Sequence, residues 1–407
     1  MPELPEVETV ARDLRGLVVG ARINGVRVSW LRTLRSQNPD AFERVVVGRT
    51  IVGTSRRAKL VVLDLDGGID DSGRPLDDDG AAVTIHLKMT GQLFVVQAGK
   101  AEDPYTRLVL ELEDGRELRF RDIRKFGRVG VAFRNPLTGD LEGELGGAKG
   151  FKGFGPEPLD PAFTARVLRA RIRGRKGRLK PLLLDQGFLA GVGNIYADEA
   201  LWAARLHPLR SAGSLRPGDA GRLHREVVRI LIEAVARRGS SIDDYTAPEG
   251  DGEMQEHLLV YQRAGEPCAR CERPIRRIVI GARSTHFCSW CQRLPKAEQA
   301  GAASILRGME PKPGRAPRSG AVAASGAASV RASTLGTSPR WTDIGGGDGA
   351  LGRPTGSTRR AAAVSRTERT RRAAATRRAA ARESAGASGP APTGNPTVAT
   401  ARDATRA

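Results

Sequence analysis

The amino end of the chain, Met1-Pro2-Glu3-Leu4-Pro5-Glu6, can do covalent chemistry once Met1 is removed, which the small Pro2 favours. The exposed group is then a secondary amine flanked by carboxylates. An α-amine titrates near pH ~8, well below lysine, so part of it is a neutral nucleophile at physiological pH. Such amines form Schiff bases with carbonyl carbons. From a secondary amine the product is an iminium, which keeps its charge and acts as an electron sink for elimination at the next carbon. Glu3 and Glu6 stand close enough in sequence to protonate a departing group or to hold the amine. The same composition also describes an ordinary frayed terminus.

A second constellation lies near the other end of the ordered sequence. Cys268-x2-Cys271 and Cys288-x2-Cys291 are separated by 16 residues. Each pair presents two thiolates from a tight turn, and two such turns close a tetrahedron around one Zn2+. All four ligands come from the protein, so the metal is expected to be structural. It would organise an intervening hairpin that carries Arg273, Arg276, Arg277 and Arg283. These arginines fit phosphate contact, or else a solvated face.

Weaker signals lie between. Gly191-Val192-Gly193-Asn194 falls between two helical stretches, with Asn194 suited to cap the second. Helix amides exposed there would bind phosphate, although a plain helix–helix connection also explains the glycines. Lys59, in Arg56-Arg57-Ala58-Lys59, begins a strand pattern. Met89, in His86-Leu87-Lys88-Met89-Thr90-Gly91, and Phe126, in Arg121-Asp122-Ile123-Arg124-Lys125-Phe126-Gly127, sit beside basic residues at expected turns. Apolar residues so placed can wedge into a base stack, or can belong to the core.

The elements that would position these groups follow from periodicity. Apolar spacing from Val7 to Leu17 predicts a helix. From Ala21 to about Phe133 short β-type runs follow, including Thr50–Gly53, Leu60–Leu65 and Ala82–Leu87, with a hairpin around Asp114-Gly115 inside Leu108–Phe120. A β-sandwich or barrel is expected there, interrupted by an acidic Gly67–Gly80 loop without assigned role. Residues 134–160, rich in Gly and Pro, read as a linker. Helical patterns then occupy Pro161–Ile172, Lys180–Leu189, Ile195–Ala204 and Ala220–Arg238, the last stopped at Gly239. Tyr261–Cys291 returns to short strands. After about Lys296 the sequence is poor in large apolar residues and predicts disorder. That tail would add nonspecific nucleic-acid affinity or remain an idle extension.

Charge selects the partner. The 407 residues carry a formal +20. Residues 297–407 hold 18 Lys and Arg against 7 Asp and Glu, a surplus of 11 that leaves +9 for the rest. Both parts are basic, as phosphate neutralisation requires. With no export-like leader and no run of about 18 apolar residues, a soluble, cytoplasmic protein is expected.

The motifs together resemble the formamidopyrimidine-DNA glycosylase family, which also includes the endonuclease VIII-like enzymes. The resemblance rests on MPELPEVET at 1–9, RRAK at 56–59, HLKMTG at 86–91, R-x-F-G at 124–127, GVGNIYADE at 191–199 and GARSTHFC at 281–288 with the cysteines. It spans about residues 1–294. Leu4 looks like the formamidopyrimidine branch, since the endonuclease VIII branch typically has Gly there. Lys88 departs from the Gly of many relatives.

The resemblance implies an α+β multidomain fold: an N-terminal β-sandwich domain with an N-terminal helix (1–135), a linker (136–160), a helix–two-turn–helix domain (161–259), a zinc-finger hairpin (260–294) and a disordered tail (295–407). It implies a monomeric bifunctional glycosylase and abasic-site lyase acting on oxidised purines in damaged duplex DNA. Pro2 would attack C1′, Glu3 would be the acid/base partner, and Glu6 would support the site. Lys59, Asn194 and Arg283 would contact phosphates, with Lys59 and Arg283 also serving catalysis. Lys180 and Lys125 would add DNA contacts. Met89, Arg124 and Phe126 would fill the void left by the extruded nucleotide, Arg124 addressing the orphaned cytosine. Ser240–Met254 would close over the flipped base. Two other readings stay open: an oxidised-pyrimidine enzyme of the same family, and a noncatalytic zinc-dependent DNA-binding protein.

Overall fold

The computed structural model describes residues 1–34, 38–67, 80–135, 137, 140–143, 153–241, 250 and 252–307. The 67–80 loop, much of Ser240–Met254, part of the linker and the sequence after Arg307 lie largely outside these residues.

The first helix, α1 (Leu4–Val18), has its one proline, Pro5, at its start, where no intrahelical N–H is needed. Glu3 and Glu6 form a reciprocal capping box at its N-terminus. Its apolar stripe Val7, Val10, Ala11, Leu14 and Val18 is buried against two antiparallel sheets. One sheet has the order β1 (Ile23–Val28), β6 (Thr106–Leu112), β7 (Arg116–Asp122), β5 (Gly91–Gln97). The other runs β2 (Ile51–Arg57), β3 (Leu60–Leu65), β4 (Ala81–His86), β8 (Arg128–Arg134), β9 (Leu141–Glu142). The expected β-sandwich is present, and the hairpin at Asp114-Gly115 joins β6 to β7. Alternation along β3 explains both faces of its sheet. Val61, Leu63 and Leu65 enter the sandwich core, while Leu60 and Val62 face Ala82, Ala132, Leu141 and the linker's Phe154.

One helix in this region escapes the periodicity. α2 (Pro39–Val46) is short and buries only Phe42 and Val46, but Asn38 caps it by accepting from Asp40 N at 2.9 Å.

A second core gathers α3 (Ala165–Ile172), α4 (Leu179–Leu184), α5 (Asn194–Ala203) and α6 (Pro217–Ala236). Leu4 of α1 belongs to this cluster, so the first turn of α1 packs in one core and its remaining turns in the other. Arg238 fastens the two by a bidentate pair with Asp13 at 2.7 and 3.0 Å. β10 (Arg276–Ile280) and β11 (Arg283–Phe287) form the hairpin between the cysteine pairs.

The sequence from 295, expected to be disordered, opens with regular structure. Lys296–Arg307 is a helix, α7. Its Ala302, Ile305 and Leu306 cover Leu209, Ile278, Ile280, Phe287 and Leu294. Three apolar residues on one face sufficed, because the hairpin supplied the rest of a small core.

Candidate active site

Two helix N-termini meet at the amino end of the chain. Pro2 is buried, and Leu4 N–H donates to Gly191 O at 3.0 Å, in the glycine-rich turn before α5. Glu3 does not cap only its own helix. Its Oε1 accepts from Ile195 N at 2.9 Å and its Oε2 from Tyr196 N at 3.4 Å. The N-cap of α5 is therefore Gly193 with a foreign carboxylate, and Asn194 is the first helical residue instead of the expected cap. A Cβ on Gly193 would overlap the Glu3 carboxyl carbon and the Lys59 ammonium. Glycine there leaves the room in which acid and cation face each other.

Burial dominates the electrostatics. It raises the Glu3 pKa, against the pull of Lys59 and the Ile195 amide. It lowers that of Lys59, against the pull of Glu3 and Glu6, while Arg283 lowers it further. Burial thus shifts both groups toward their neutral forms.

Glu6 is a four-way node. Its Oε2 accepts from Glu3 N at 2.8 Å. Its Oε1 accepts from Tyr196 Oη at 2.5 Å, Ser240 N at 2.8 Å and Ser240 Oγ at 3.0 Å. Burial beside Glu6 pushes the Tyr196 phenol well above its ordinary pKa, so it remains a donor. The sequence placed Tyr196 in the 191–199 motif and Ser240 in the 240–254 loop, but assigned neither to Glu6.

Lys59 is placed by a tight turn between β2 and β3, with Ala58 in the left-handed region at φ 52°. The linker fixes that turn. Glu157 accepts from Ala58 N at 2.7 Å and pairs with Arg56 at 2.7 Å and Arg57 at 2.5 Å.

Asn194 Nδ2 donates to Ser284 O at 3.0 Å, next to Arg283 at the start of β11. Lys180 converges on the same carbonyl at 3.0 Å and pairs with Asp198 at 2.6 Å. Asp198 also accepts from His286 N at 2.9 Å. Lys180 was expected to touch DNA. It is instead fully buried, with its ammonium consumed by Asp198 and Ser284, so its reach is to the strand that carries Arg283. Arg283 itself is exposed. Arg124 and Arg283 are exposed and form no ion pair among the described residues. Cations left so are available to an outside polyanion.

Met89 is half-buried, and Arg124, Lys125 and Phe126 are exposed on a neighbouring loop. The Arg124 guanidinium lies 5.1 Å from the Phe126 ring centre, and Lys125 lies 4.1 Å from that of Trp30. Near their base, burial with Lys88, Lys59 and Arg128 close by keeps His86 neutral, and its Nδ1 accepts from Lys88 N at 3.1 Å.

The Sγ atoms of Cys268, Cys271, Cys288 and Cys291 lie within 4.8 Å of one another. Tetrahedral thiolate ligands at about 2.3 Å from zinc stand about 3.8 Å apart, so the four fit one structural Zn2+ with no open position.

Family models match three stretches: the formamidopyrimidine-DNA glycosylase N-terminal domain at residues 1–129, its H2TH domain at 154–246, and the zinc finger found in FPG and IleRS at 265–294. The formamidopyrimidine-DNA glycosylase of Roseiflexus sp. is 43% identical over 295 residues, covering 72% of this chain and 100% of that protein. Among solved structures, a Lactococcus lactis FPG variant in complex with Fapy-dG DNA aligns with TM-score 0.62 at 32% identity, over 72% of this chain and 100% of that one. MutM (FPG) from Thermus thermophilus aligns with TM-score 0.61 at 38% identity, with the same coverage.

Proposed function

The chain belongs to the formamidopyrimidine-DNA glycosylase family, a family of glycosylases acting on damaged DNA, and from that premise we propose the full reaction: a bifunctional enzyme that excises oxidised purines such as 8-oxoguanine and formamidopyrimidines through Pro2 and then cuts the strand. Its domains are 1–135, 136–160, 161–259 and 260–294. It works as a cytoplasmic monomer on duplex DNA. Among the described residues no helix is long and apolar enough to cross a membrane.

With Met1 gone, the Pro2 nitrogen attacks C1′ and the bond from C1′ to the base breaks. The base leaves with that electron pair and takes up a proton. As the C1′–O4′ bond then breaks, O4′ keeps its electron pair and takes a proton from Glu3, whose raised pKa keeps one available, while the Pro2 nitrogen, its N–H proton lost, closes the C1′=N bond. The resulting iminium acidifies C2′. Loss of the C2′ proton expels the 3′ phosphate, and a second elimination expels the 5′ phosphate. Water then releases the sugar remnant from Pro2. Glu6 fixes the amine's helix, Lys59, Asn194 and Arg283 hold the flanking phosphates, and Lys125 adds a backbone contact. Met89, Arg124 and Phe126 occupy the space left by the extruded nucleotide, because a stacked base cannot be attacked at its sugar.

The observation that carries this reading is the meeting of Pro2, Glu3, Lys59 and the α5 N-terminus in one buried corner. A borohydride trap with 8-oxoguanine opposite cytosine, followed by mass spectrometry, tests it. An adduct on Pro2 in protein lacking Met1 is expected. An adduct only with a preformed abasic site would shift the base preference, and a lesion panel would then test oxidised pyrimidines. Binding without any adduct would overturn catalysis in favour of a zinc-dependent DNA-binding protein.

A further inference from the structure

The loop between β4 and β5 carries Met89, and the loop between β7 and β8 carries Arg124 and Phe126. Each crosses from one sheet of the sandwich to the other. Their ends are paired on both sides: His86 faces Arg128 in the β4–β8 ladder, and Gly91 faces Asp122 in the β5–β7 ladder. The two loops therefore leave and re-enter the sandwich side by side.

They are also bonded to each other. Thr90 Oγ1 donates to Asp122 Oδ1 at 2.6 Å, with both residues buried. Arg124 N approaches Thr90 Oγ1 and Asp122 Oδ1 at 3.2 Å each. Gly127 N donates to Asp122 Oδ2 at 2.6 Å. One carboxylate thus closes its own loop around Phe126 and holds the neighbouring loop one residue from Met89. The backbone repeats the arrangement, since Lys88 (φ 56°) and Lys125 (φ 60°) are left-handed immediately before Met89 and Phe126. Lys88 accordingly occupies a conformation that a glycine adopts without steric cost.

We propose that Thr90 and Asp122 are positioning residues that lock the two loops into one wedge, so that Met89 and the Arg124–Phe126 pair enter the base stack together. The proposal rests on the reading above that these three side chains fill the void. A wedge delivered in two independent halves would leave the stack open between them. The lock acts on extrusion of a stacked nucleotide and not on chemistry at C1′. An abasic nucleotide, already without its base, makes less demand on it.

Thr90→Val removes the hydroxyl and keeps the shape, while Thr90→Ser keeps the hydroxyl. In single turnover on full-length protein, Thr90→Val is expected to slow excision of 8-oxoguanine opposite cytosine by about 10- to 100-fold. Its cleavage of a preformed abasic site should stay near the parent rate. The fluorescence rise of 2-aminopurine placed beside the lesion should shrink in Thr90→Val and recover in Thr90→Ser. Asp122→Asn should shift the same readouts in the same direction as Thr90→Val. Excision and fluorescence at parent levels in Thr90→Val overturn the lock. So does equal slowing on both substrates, which would indicate general damage. If the parent protein itself neither excises the lesion nor unstacks its neighbour, the functional reading fails and takes the proposal with it.

Discussion

Glu3 closes the N-terminus of a helix that begins nearly two hundred residues later, accepting from Ile195 N–H at 2.9 Å. The contact makes one carboxylate serve two helices, its own through the capping box and α5 through the amides of Ile195 and Tyr196. Positive helix ends favour the anionic form of Glu3, and burial disfavours it more.

Removing the proton donor while keeping the shape separates the two halves of the reaction. Glu3→Gln is expected to lower 8-oxoguanine excision by about 10²- to 10⁴-fold. Cleavage of a preformed abasic site should suffer less, because its sugar already opens to the aldehyde without the enzyme. Quantitative borohydride trapping on both substrates measures the difference, and equal losses would deny that Glu3 acts in opening the sugar.

The same residue has a thermal signature. Its folded pKa lies above the unfolded value of 4.5. Below that value both states are protonated and nothing is lost. As pH rises the unfolded chain ionises first, and stability falls until the folded carboxyl ionises too. Glu3→Gln escapes this loss. Calorimetry should therefore show the variant gaining on the parent in Tm from about pH 4.5 upward and then levelling. A gap independent of pH would contradict a disfavoured carboxylate.

Lys180→Met should strand Asp198, which is 1% exposed, without its cation. Loss of one partner from a buried pair costs about 3–5 kcal/mol. Lys180→Met with Asp198→Asn should recover part of the lost stability. DNA affinity of the single variant should fall as well, since the Ser284 carbonyl beside Arg283 loses a donor. A melting curve and a binding titration on the single and double variants decide. Unchanged binding in the folded single variant would make Lys180 irrelevant to the hairpin.

Two truncations separate α7 from the remainder of the tail. Ending the chain after Arg307 should leave Tm and strand cleavage intact while lowering nonspecific DNA affinity at low salt. Ending it after Leu294 should uncover Ile278 and Ile280, lose the 2.5 Å bond from Ser211 N to Glu298, and cost about 2–4 kcal/mol of burial. Identical melting of the two would mean that α7 contributes nothing to the hairpin.

The sequence was most legible where a pattern is local. The spacing of Cys268, Cys271, Cys288 and Cys291 implied the thiolate cluster, and alternation around Asp114-Gly115 implied the β6–β7 hairpin. It failed where the partner is distant. Nothing near Lys180 announces Asp198, and nothing near Lys59 announces that Glu157 holds its turn. Lysine at a helix start usually faces water, so burial here had to be seen. α2 and α7 were missed for a related reason. Each is short, and its apolar residues gain meaning only from the surface they cover.

The division of α1 between two cores sets a schedule for biosynthesis. Leu4 finds Gly191, Glu3 finds Ile195 and Glu6 finds Ser240 only after most of the chain has been synthesised. At about 5–20 residues per second, that leaves the nascent amino end without its burial partners for roughly 10–40 s. In the finished fold Pro2 is buried and Met1 half-buried. If Pro2 acts as proposed, Met1 is expected to be removed while the ribosome is still making the residues that will cover Pro2.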